Sequence, residues 1–340
     1  MPTTEPNPWS VRPTSFPEGG ATHEKLLFCV RYALLAPSSH NTQPWFFAVR
    51  DQVIDVFADR LRALPVVDPE DRELTISCGT ALETLVVAMG RFGIRYDVEL
   101  VRDRKTPDQV ARVHVLGFGA ESPDPLFDAI TERHTSRVAY AEDSVSRETV
   151  LAIESEVRSE DTWFRKVPGL EERIAVANLV DEGDRIQMAD RRFRRELAQW
   201  VHANRSSLRD GLPGYALGLS DSVSTLEPLV LRTFDVGGSQ AAKDRELALK
   251  SPLLGVIGTG GDGTRDWITA GRALARVLLR VTAEGLRASF LNQPIEVPEL
   301  RHRLASTVGR TGFPQLLLRF GKAPPARPTP RRALEDVLAR

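Results

Sequence analysis

The chain repeats itself, and this constrains its fold more than any other feature of its 340 residues. Two sets of short motifs occur in the same order, and the two glycine motifs are fourteen residues apart in both sets. The matching segments are Trp-Phe-x-x-Val at 45–49 and 163–167, Gly-x-Ala-Leu at 79–82 and 271–274, and Gly-Ile-Arg at 93–95 with Gly-Leu-Arg at 285–287. Buried helices often look alike, but ordered matches favour a duplicated fold. We predict two tandem halves, residues 1–119 and 120–340, packed like the two subunits of a dimer.

The composition excludes several classes of protein. Hydrophobic residues make up 41% of the chain, which is enough to bury a core and excludes global disorder. The 45 basic and 46 acidic residues nearly cancel, and this argues against nucleic acid as a partner because phosphate backbones need a basic excess. The two cysteines, Cys29 and Cys78, are too few for a disulfide framework and are expected to be packing residues in a reducing compartment.

No membrane partner is expected from the sequence. No apolar run reaches the length needed to span a bilayer, and residues 1–20 are rich in Pro, Ser and Thr without the apolar stretch of a secretory signal. We therefore expect a cytoplasmic protein with an N-terminal arm draped on its surface.

The order of predicted elements indicates an α+β protein with mixed sheets. Buried helices are predicted over residues 72–92 and 266–283, each flanked by short strands. Residues 205–250 hold five glycines and show no clear periodicity, so they are predicted to form an irregular insertion that acts as a lid. Residues 321–340 are predicted to form an extended, proline-rich tail.

Three polar segments are candidates for holding a flat, phosphorylated cofactor. The first, at 37–45, is a proline-bracketed loop in which Ser38, Ser39, Asn41 and Gln43 offer hydrogen-bonding groups. A simple helix-ending turn would use the same residue types, and that alternative stays open.

The second segment is Arg-His-Thr-Ser-Arg at 133–137. Two guanidinium groups with hydroxyls between them can surround a phosphate. Two arginines at a solvated helix end, where they complement the helix dipole, would have the same sequence, and composition alone favours that alternative.

The third segment is Gln-Pro-Ile-Glu at 293–296, which follows a predicted strand. Its backbone and amide side chain could meet the edge of a ring, or it could be the start of the next helix. Arg331 and Arg332 add two positive charges near the end of the chain, for a phosphate or for the surface.

In combination, these segments resemble the nitroreductase-like FMN oxidoreductases, and the double length is similar to the Acg-type subgroup. The resemblance covers the whole chain in order and implies a nitroreductase-like fold whose two halves form an intramolecular pseudo-dimer. It assigns cofactor binding to Pro37, Ser38, Ser39, Asn41, Gln43, Arg133, His134, Thr135, Ser136, Arg137, Gln293, Pro294, Ile295, Glu296, Arg331 and Arg332.

The resemblance also implies the roles of these segments. Arg133, Arg137 and one of the tail arginines would hold the FMN phosphate, the loop at 37–43 would contact the ring or ribityl chain, and a backbone N–H of 294–296 would face flavin N5. NADH or NADPH would reduce FMN, which would then reduce a small acceptor such as a nitro compound or quinone, without a catalytic protein nucleophile. The alternative is an FMN-sequestering protein whose lid prevents turnover.

Only one set of these segments is complete, so we expect one FMN per chain. The internal pair already forms the interface, so a monomer is expected, with a homodimer as the alternative.

Other chemistries find weaker support in the sequence. Gly-x-Gly-x-x-Gly at 258–263 matches a dinucleotide-binding motif, but no acidic residue follows the next strand to bind a ribose. The six histidines show no paired ligand spacing, so no metal site is expected. A Gly-x-Ser-x-Gly hydrolase motif does not occur.

Overall fold

The computed structural model describes residues 7–101, 106–122, 124–157, 161–233 and 237–339. In the first half, helix α1 is followed by four strands that form one sheet, and a long helix lies between the second and third strands in the sequence. The elements are α1 (Thr22–Ala33), β1 (Trp45–Arg50), β2 (Val53–Ala58), α2 (Arg72–Arg91), β3 (Ile94–Leu100) and β4 (Gln109–Phe118). The sheet order is β1-β2-β4-β3, and each pair is antiparallel.

The second half contains a second four-stranded sheet and a larger set of helices. Its elements are α3 (Pro125–Asp128), α4 (Arg147–Glu156), β5 (Thr162–Lys166), α5 (Leu170–Ala189), α6 (Arg191–Trp200), β6 (Val201–His202), β7 (Leu212–Pro213), α7 (Asp221–Thr233), α8 (Gly237–Lys250), β8 (Leu253–Thr259), α9 (Thr264–Ala283), β9 (Arg287–Phe290), α10 (Gln293–Glu296), α11 (Pro298–Thr307) and β10 (Phe313–Gly321). The order of its main sheet is β5-β8-β10-β9.

The two main sheets have the same topology. In each, the first two strands pair, a twenty-residue helix follows the second strand, and the fourth strand lies between the second and the third. The α+β class is therefore confirmed. The shared order supports the inferred duplication, and the predicted boundary at 119/120, between β4 and α3, stays a prediction.

The halves meet where helices α2 and α9 cross. A Cβ added to Gly79 would lie 2.4 Å from the Ile268 carbonyl oxygen, and one added to Gly271 would lie 2.1 Å from the Ile76 carbonyl oxygen. The contact is reciprocal, because each glycine meets the residue three positions before the other, as in a two-fold symmetric interface. The repeated glycines thus permit close backbone contact between the helices.

Helix α2 lies in the centre of the protein. Contrary to the expectation from the sequence, its length and composition would allow it to cross a membrane, but 94% of its most apolar window is buried within the structure. It is therefore a core helix, and it packs with α1 and α9.

Single parallel bridges extend the edges of both main sheets and make them mixed. Leu338 of the tail pairs with Phe47 of β1, and Thr135 pairs with Ala288 of β9. These bridges bring the tail and the 133–137 segment to fixed positions in the fold.

The irregular insertion predicted over 205–250 is largely helical. Helices α7 and α8 occupy most of its second part. Pro228 inside α7 and the two glycines that begin α8 hid the helical pattern in the sequence.

Candidate functional site

The loop at 37–43 is held in an unusual backbone conformation. His40, Asn41 and Gln43 have positive φ angles of 49°, 56° and 52°, a region that residues with a side chain seldom adopt. The Ser38 hydroxyl accepts a hydrogen bond from the Gln43 N–H at 2.8 Å, and Thr80 Oγ1 donates to the Pro37 carbonyl at 2.9 Å. Such strain persists only where surrounding contacts impose it, and it concentrates at functional sites.

Segments from the insertion and the tail impose this conformation. Asn41 Nδ2 donates to the carbonyl oxygens of Gly211 (2.9 Å) and Pro330 (3.1 Å). Gln43 Nε2 donates to the Arg209 carbonyl, and Gln43 Oε1 accepts from the backbone N–H of Arg332 at 2.7 Å. Residues more than 160 positions away in the sequence therefore cover the loop.

The two predicted phosphate-binding segments converge beside this loop. Arg133 Nη2 and Arg331 Nη2 both donate to the Leu35 carbonyl, at 3.1 and 3.3 Å. Arg331 Nη1 also donates to Asn41 Oδ1 at 2.8 Å. The structure thus brings the loop, the 133–137 segment and the tail together at the junction of the two halves.

The arginines at this junction lack acidic partners. Within the described chain, no ion pair includes Arg133, Arg137 or Arg331, although Arg133 and Arg331 are 5% and 4% exposed. Burial lowers the pKa of Arg133 to about 10. Burial, and after it repulsion from Arg133, lowers the pKa of Arg331. Burying a cation without a counter-charge is costly, so this arrangement favours an anionic ligand.

His134 senses the same positive charge. Burial, and then Arg133, Arg331 and Arg287, lower its pKa to about 3, so the imidazole is neutral. Its ring packs edge-on against Trp9 at 4.4 Å between centroids.

Arg332 has a different environment from Arg331. Its Nη1 contacts Asp59 Oδ2 at 3.3 Å and donates to the Gln43 carbonyl at 2.9 Å. Arg332 therefore fixes the tail to the first half, whereas Arg331 lies with Arg133 at the Leu35 carbonyl.

Thr135 and Ser136 are placed by the edge of β9. The Ser136 N–H donates to the Ala288 carbonyl at 3.0 Å, and the Ser136 carbonyl accepts from the Tyr140 hydroxyl and from Arg319. The half-buried Arg137 follows this pairing; burial and then Arg319 lower its pKa, while Asp244 opposes that shift.

The 293–296 segment forms a helical turn rather than a strand exit. The N–H groups of Ile295 and Glu296 donate to the Asn292 carbonyl at 2.7 and 3.0 Å, so they are engaged within α10. Pro294 and Ile295 are buried in the core. Gln293 Nε2 donates to Asp184 and Asp244, while its Oε1 is buried without a partner.

Glu73 links the segments of the two halves and was missed in the sequence. Its carboxylate accepts from Ser39 Oγ at 2.5 Å and from Arg72 at 2.8 Å, and Asn292 Nδ2 lies 3.4 Å away. Burial and the neighbouring Glu73 raise the pKa of Glu296 well above its usual value, and the two carboxyl groups share a hydrogen bond. No sequence signal distinguished Glu73 from other acids in the first turn of a helix.

His40 is a second residue that sequence reasoning missed. Burial lowers its pKa to about 4, Glu73 opposes that shift and Arg137 adds to it. Its ring therefore lies near both Glu73 and Arg137. The positive φ could not be read from the sequence.

The described residues hold no group of three or more histidine, cysteine or acidic side chains suited to a metal ion. Cys29 and Cys78 are buried thiols whose pKa is raised by burial. The glycine-rich 258–263 segment ends in an ion pair between Asp262 and Arg301 at 2.7 Å rather than in an open phosphate loop.

Comparisons with known proteins identify the family. No family model matches the chain. A protein of Mycobacterium tuberculosis strain H37Rv, "Putative NAD(P)H nitroreductase Rv3131", is 31% identical over 336 residues, which cover 96% of this chain and 93% of that protein. This chain belongs to the NAD(P)H nitroreductase family. A second relative from the same organism, "Putative NAD(P)H nitroreductase acg", is 28% identical over 339 residues, which cover 94% of this nitroreductase-family chain and 97% of the relative.

One solved structure is more distantly similar to this chain. The FMN and NADPH-dependent nitroreductase NfnB from sphigopyxis sp. strain HMH aligns with a TM-score of 0.43 and 18% identity, over 63% of this chain and 98% of that chain. A likeness of that size supports no conclusion about this chain.

Proposed function

We propose that this chain is an FMN-dependent oxidoreductase in which NADH or NADPH reduces FMN, and FMN then reduces a nitro compound, a quinone or a similar small acceptor. The observation that carries the proposal is the pair of buried arginines, Arg133 and Arg331, which share the Leu35 carbonyl and form no ion pair within the described residues. A phosphate monoester carries close to two negative charges at neutral pH and accepts several charge-assisted hydrogen bonds. It therefore supplies the counter-charge that Arg133 and Arg331 lack.

The residues around these arginines fit the rest of the cofactor. Ser38, Ser39 and His40 on one side and Asn292 and Gln293 on the other are only partly buried, although they lie at the junction. Arg133, Arg137 and Arg331 would hold the phosphate with the Thr135 and Ser136 hydroxyls, while the 37–43 loop and the 293–296 turn would border the ring.

FMN, when bound, supplies the hydride and electron transfer that protein side chains cannot perform. The chain's own residues bind and orient it. The rigid loop at 37–43 keeps polar groups in place without rearrangement, and the packed insertion excludes water from the junction. We assign no nucleophile to the protein.

The insertion is compatible with the alternative of a sequestering protein. Arg209 and Gly211 bond directly to Gln43 and Asn41, so the insertion covers the loop. However, the two relatives described above, which match over nearly the full length, are named nitroreductases, and an enzyme is the better proposal.

We further propose that the protein acts as a cytoplasmic monomer, because both halves of the interface are present in one chain. Light scattering during gel filtration tests this: a mass near 37.7 kDa supports a monomer, and twice that mass contradicts it.

The decisive experiment follows the flavin spectrum. The purified protein should bind FMN, and anaerobic addition of NADPH or NADH should bleach the flavin band, with recovery on adding a nitroaromatic or quinone. A protein that does not bind FMN contradicts the whole proposal. A protein that binds FMN tightly but is bleached by neither nucleotide is a sequestering protein.

A further inference from the structure

A polar cavity of about 450 Å³ lies beside the proposed FMN site. Three segments enclose it: the N-terminal arm with Trp9, the insertion from His202 to Tyr215, and the tail from Arg327 to Ala333. Its volume is within the range of sites that hold a nucleotide-sized ligand. Nothing in the proposed binding of FMN uses the insertion side of this cavity.

Two arginines give the cavity wall positive charge, and the nearby acid Asp221, whose pKa Arg327 helps to lower, is already paired with Arg205 at 3.1 Å. Arg327 stacks on the ring of Tyr215 with 3.9 Å to the centroid, and it makes no hydrogen bond or ion pair with any part of the chain that the structure describes. Arg331 stacks on Trp9 at 4.8 Å in the same wall.

The carboxylate that lines the cavity is already engaged. Asp210 pairs with Arg62 at 2.7 Å and lies 3.6 Å from His202 Nε2, and these contacts hold the pKa of Asp210 at about 2. Its negative charge is therefore already balanced by Arg62, and it does not cancel the charge of Arg327.

The position of the cavity connects it to the proposed redox site. Arg331 forms part of its wall and also bonds to Asn41. On the opposite side, Arg209 lines the cavity while its carbonyl accepts from Gln43. A ligand in the cavity is thus one layer of side chains away from the loop proposed to border the flavin.

We infer that this cavity binds the phosphorylated adenosine end of the reductant and selects NADPH over NADH through Arg327. The inference rests on the proposed function, because it names the electron donor of that reaction. NADPH differs from NADH only by the 2′-phosphate, and a nearby arginine is the usual partner of that group. Arg327 is available for it, and the aromatic ring beneath holds the guanidinium in place.

A binding experiment separates this inference from the redox proposal. Calorimetric titration of the FMN-loaded protein with 2′,5′-ADP and with 5′-AMP compares two ligands that differ by the 2′-phosphate, without any electron transfer. We expect 2′,5′-ADP to bind at least tenfold more tightly than 5′-AMP, and Arg327→Met to remove most of that difference.

A matched variant controls for the loss of a surface arginine. Arg310 also stacks on an aromatic ring, that of Trp163 at 5.9 Å, and does not line the cavity. Arg310→Met should keep the full preference for 2′,5′-ADP. The same order should appear in the ratio of kcat/KM for NADPH to that for NADH.

Three results would overturn the inference. One is equal binding of both ligands by the wild type while NADPH still bleaches the flavin, which leaves the redox proposal intact. Another is a loss of FMN from Arg327→Met, which would assign the cavity to the cofactor. The last is competition by inorganic phosphate as strong as by 2′,5′-ADP, which would make the cavity a general anion site.

Discussion

At the scale of single residues, arginines at the contacts between the halves have two kinds of partner. Arg276 and Arg280 both bind the buried carboxylate of Glu156, at 2.7 Å each. Arg133 and Arg331 instead donate to carbonyl oxygens and have no carboxylate. The first arrangement stabilises the fold, and the second leaves charge available for a ligand.

Replacing Arg133 with methionine should therefore weaken FMN binding while leaving the empty protein as stable as the wild type or more stable. We expect FMN affinity to fall by about ten- to a hundredfold, as for the loss of a charge-assisted contact. Stability should not fall, because the variant also removes an unpaired buried charge. FMN fluorescence titration and urea unfolding measure the two effects.

Arg280→Met is the matched control for this prediction. It removes one of the two arginines that bind Glu156 and leaves Arg276, so it should lower the free energy of unfolding by about 1.5–3 kcal/mol. Its effect on FMN affinity should be small. Wild-type FMN affinity in Arg133→Met would argue against the phosphate site.

A buried pair of acids between α5 and α8 should make stability depend on pH. Burial, and then Asp244, raise the pKa of Asp184 from 3.8 to about 7. The folded state keeps this proton, but the unfolded state loses it above about pH 4. The free energy of unfolding should therefore fall between about pH 4 and pH 7 and level off above that.

Asp184→Asn should make this fall less steep, while Asp68, Asp244 and Glu296, whose pKa values burial also raises, keep contributing to it. The variant should match the wild type near pH 4 and exceed its stability near pH 7.5, by on the order of 1 kcal/mol per pH unit crossed. Asp181→Asn on the same helix is the control, since Arg185 lowers the pKa of that half-buried carboxyl and its contribution has the opposite sign. Parallel pH profiles for wild type and Asp184→Asn would refute the prediction.

At the scale of elements, the crossing of α2 and α9 determines how the halves fit together. Gly79→Ala would place a methyl group against the Ile268 carbonyl, so the two backbones would have to separate. We expect a loss of about 2 kcal/mol or more in the free energy of unfolding, measured by urea denaturation.

Gly90→Ala offers the matched control in the same helix. No atom lies within 4 Å of the Cβ that it would add. It should raise stability by about 0.5–1 kcal/mol through helix propensity alone. A Gly79→Ala variant as stable as Gly90→Ala would mean that the helices do not meet as described.

Most elements could be predicted because their local patterns agree with their final environment. The strand at 45–50 is a short apolar run, and the twenty residues of α2 are apolar enough to indicate a buried helix. The helices of the insertion could not be predicted, because proline and glycine in them are stabilised by contacts with distant segments.

The candidate site was predictable in its segments but not in its connections. The sequence identified the segments that hold Asn41, Arg133 and Arg331, and the structure brings these residues together. The role of Glu73 depends on a contact with Asn292, 219 positions away, and no local pattern encodes such a contact. The different environments of Arg331 and Arg332 were likewise set by tertiary packing.

At the scale of the whole molecule, the two halves are alike in topology but not in their polar junctions. Glu156 stands seven positions before Trp163, as Ser38 stands seven before Trp45. Where the first half has the polar loop at 37–43, the second has the end of α4, whose Glu156 forms ion pairs with Arg276 and Arg280. The second junction is thus already neutralised.

We therefore predict one FMN per chain. Release of the flavin by denaturation, followed by absorbance measurements of flavin and protein, should give a ratio near one after saturation. A ratio near two would show that the junction at Glu156 also binds the cofactor. If Glu156→Gln still binds one FMN per chain, the charge of Glu156 is not the only feature that keeps FMN out of this second junction.

The tail has a consequence for how such a protein matures. Arg331, Arg332 and Val337 bond to Asn41, Gln43 and Phe47 respectively, so the tail completes a loop whose Asn41 lies 290 positions before Arg331. Both segments must be synthesised before that loop can lock. Coenzyme loading would then follow synthesis of the tail, and a translation product stopped before Arg331 would stay empty.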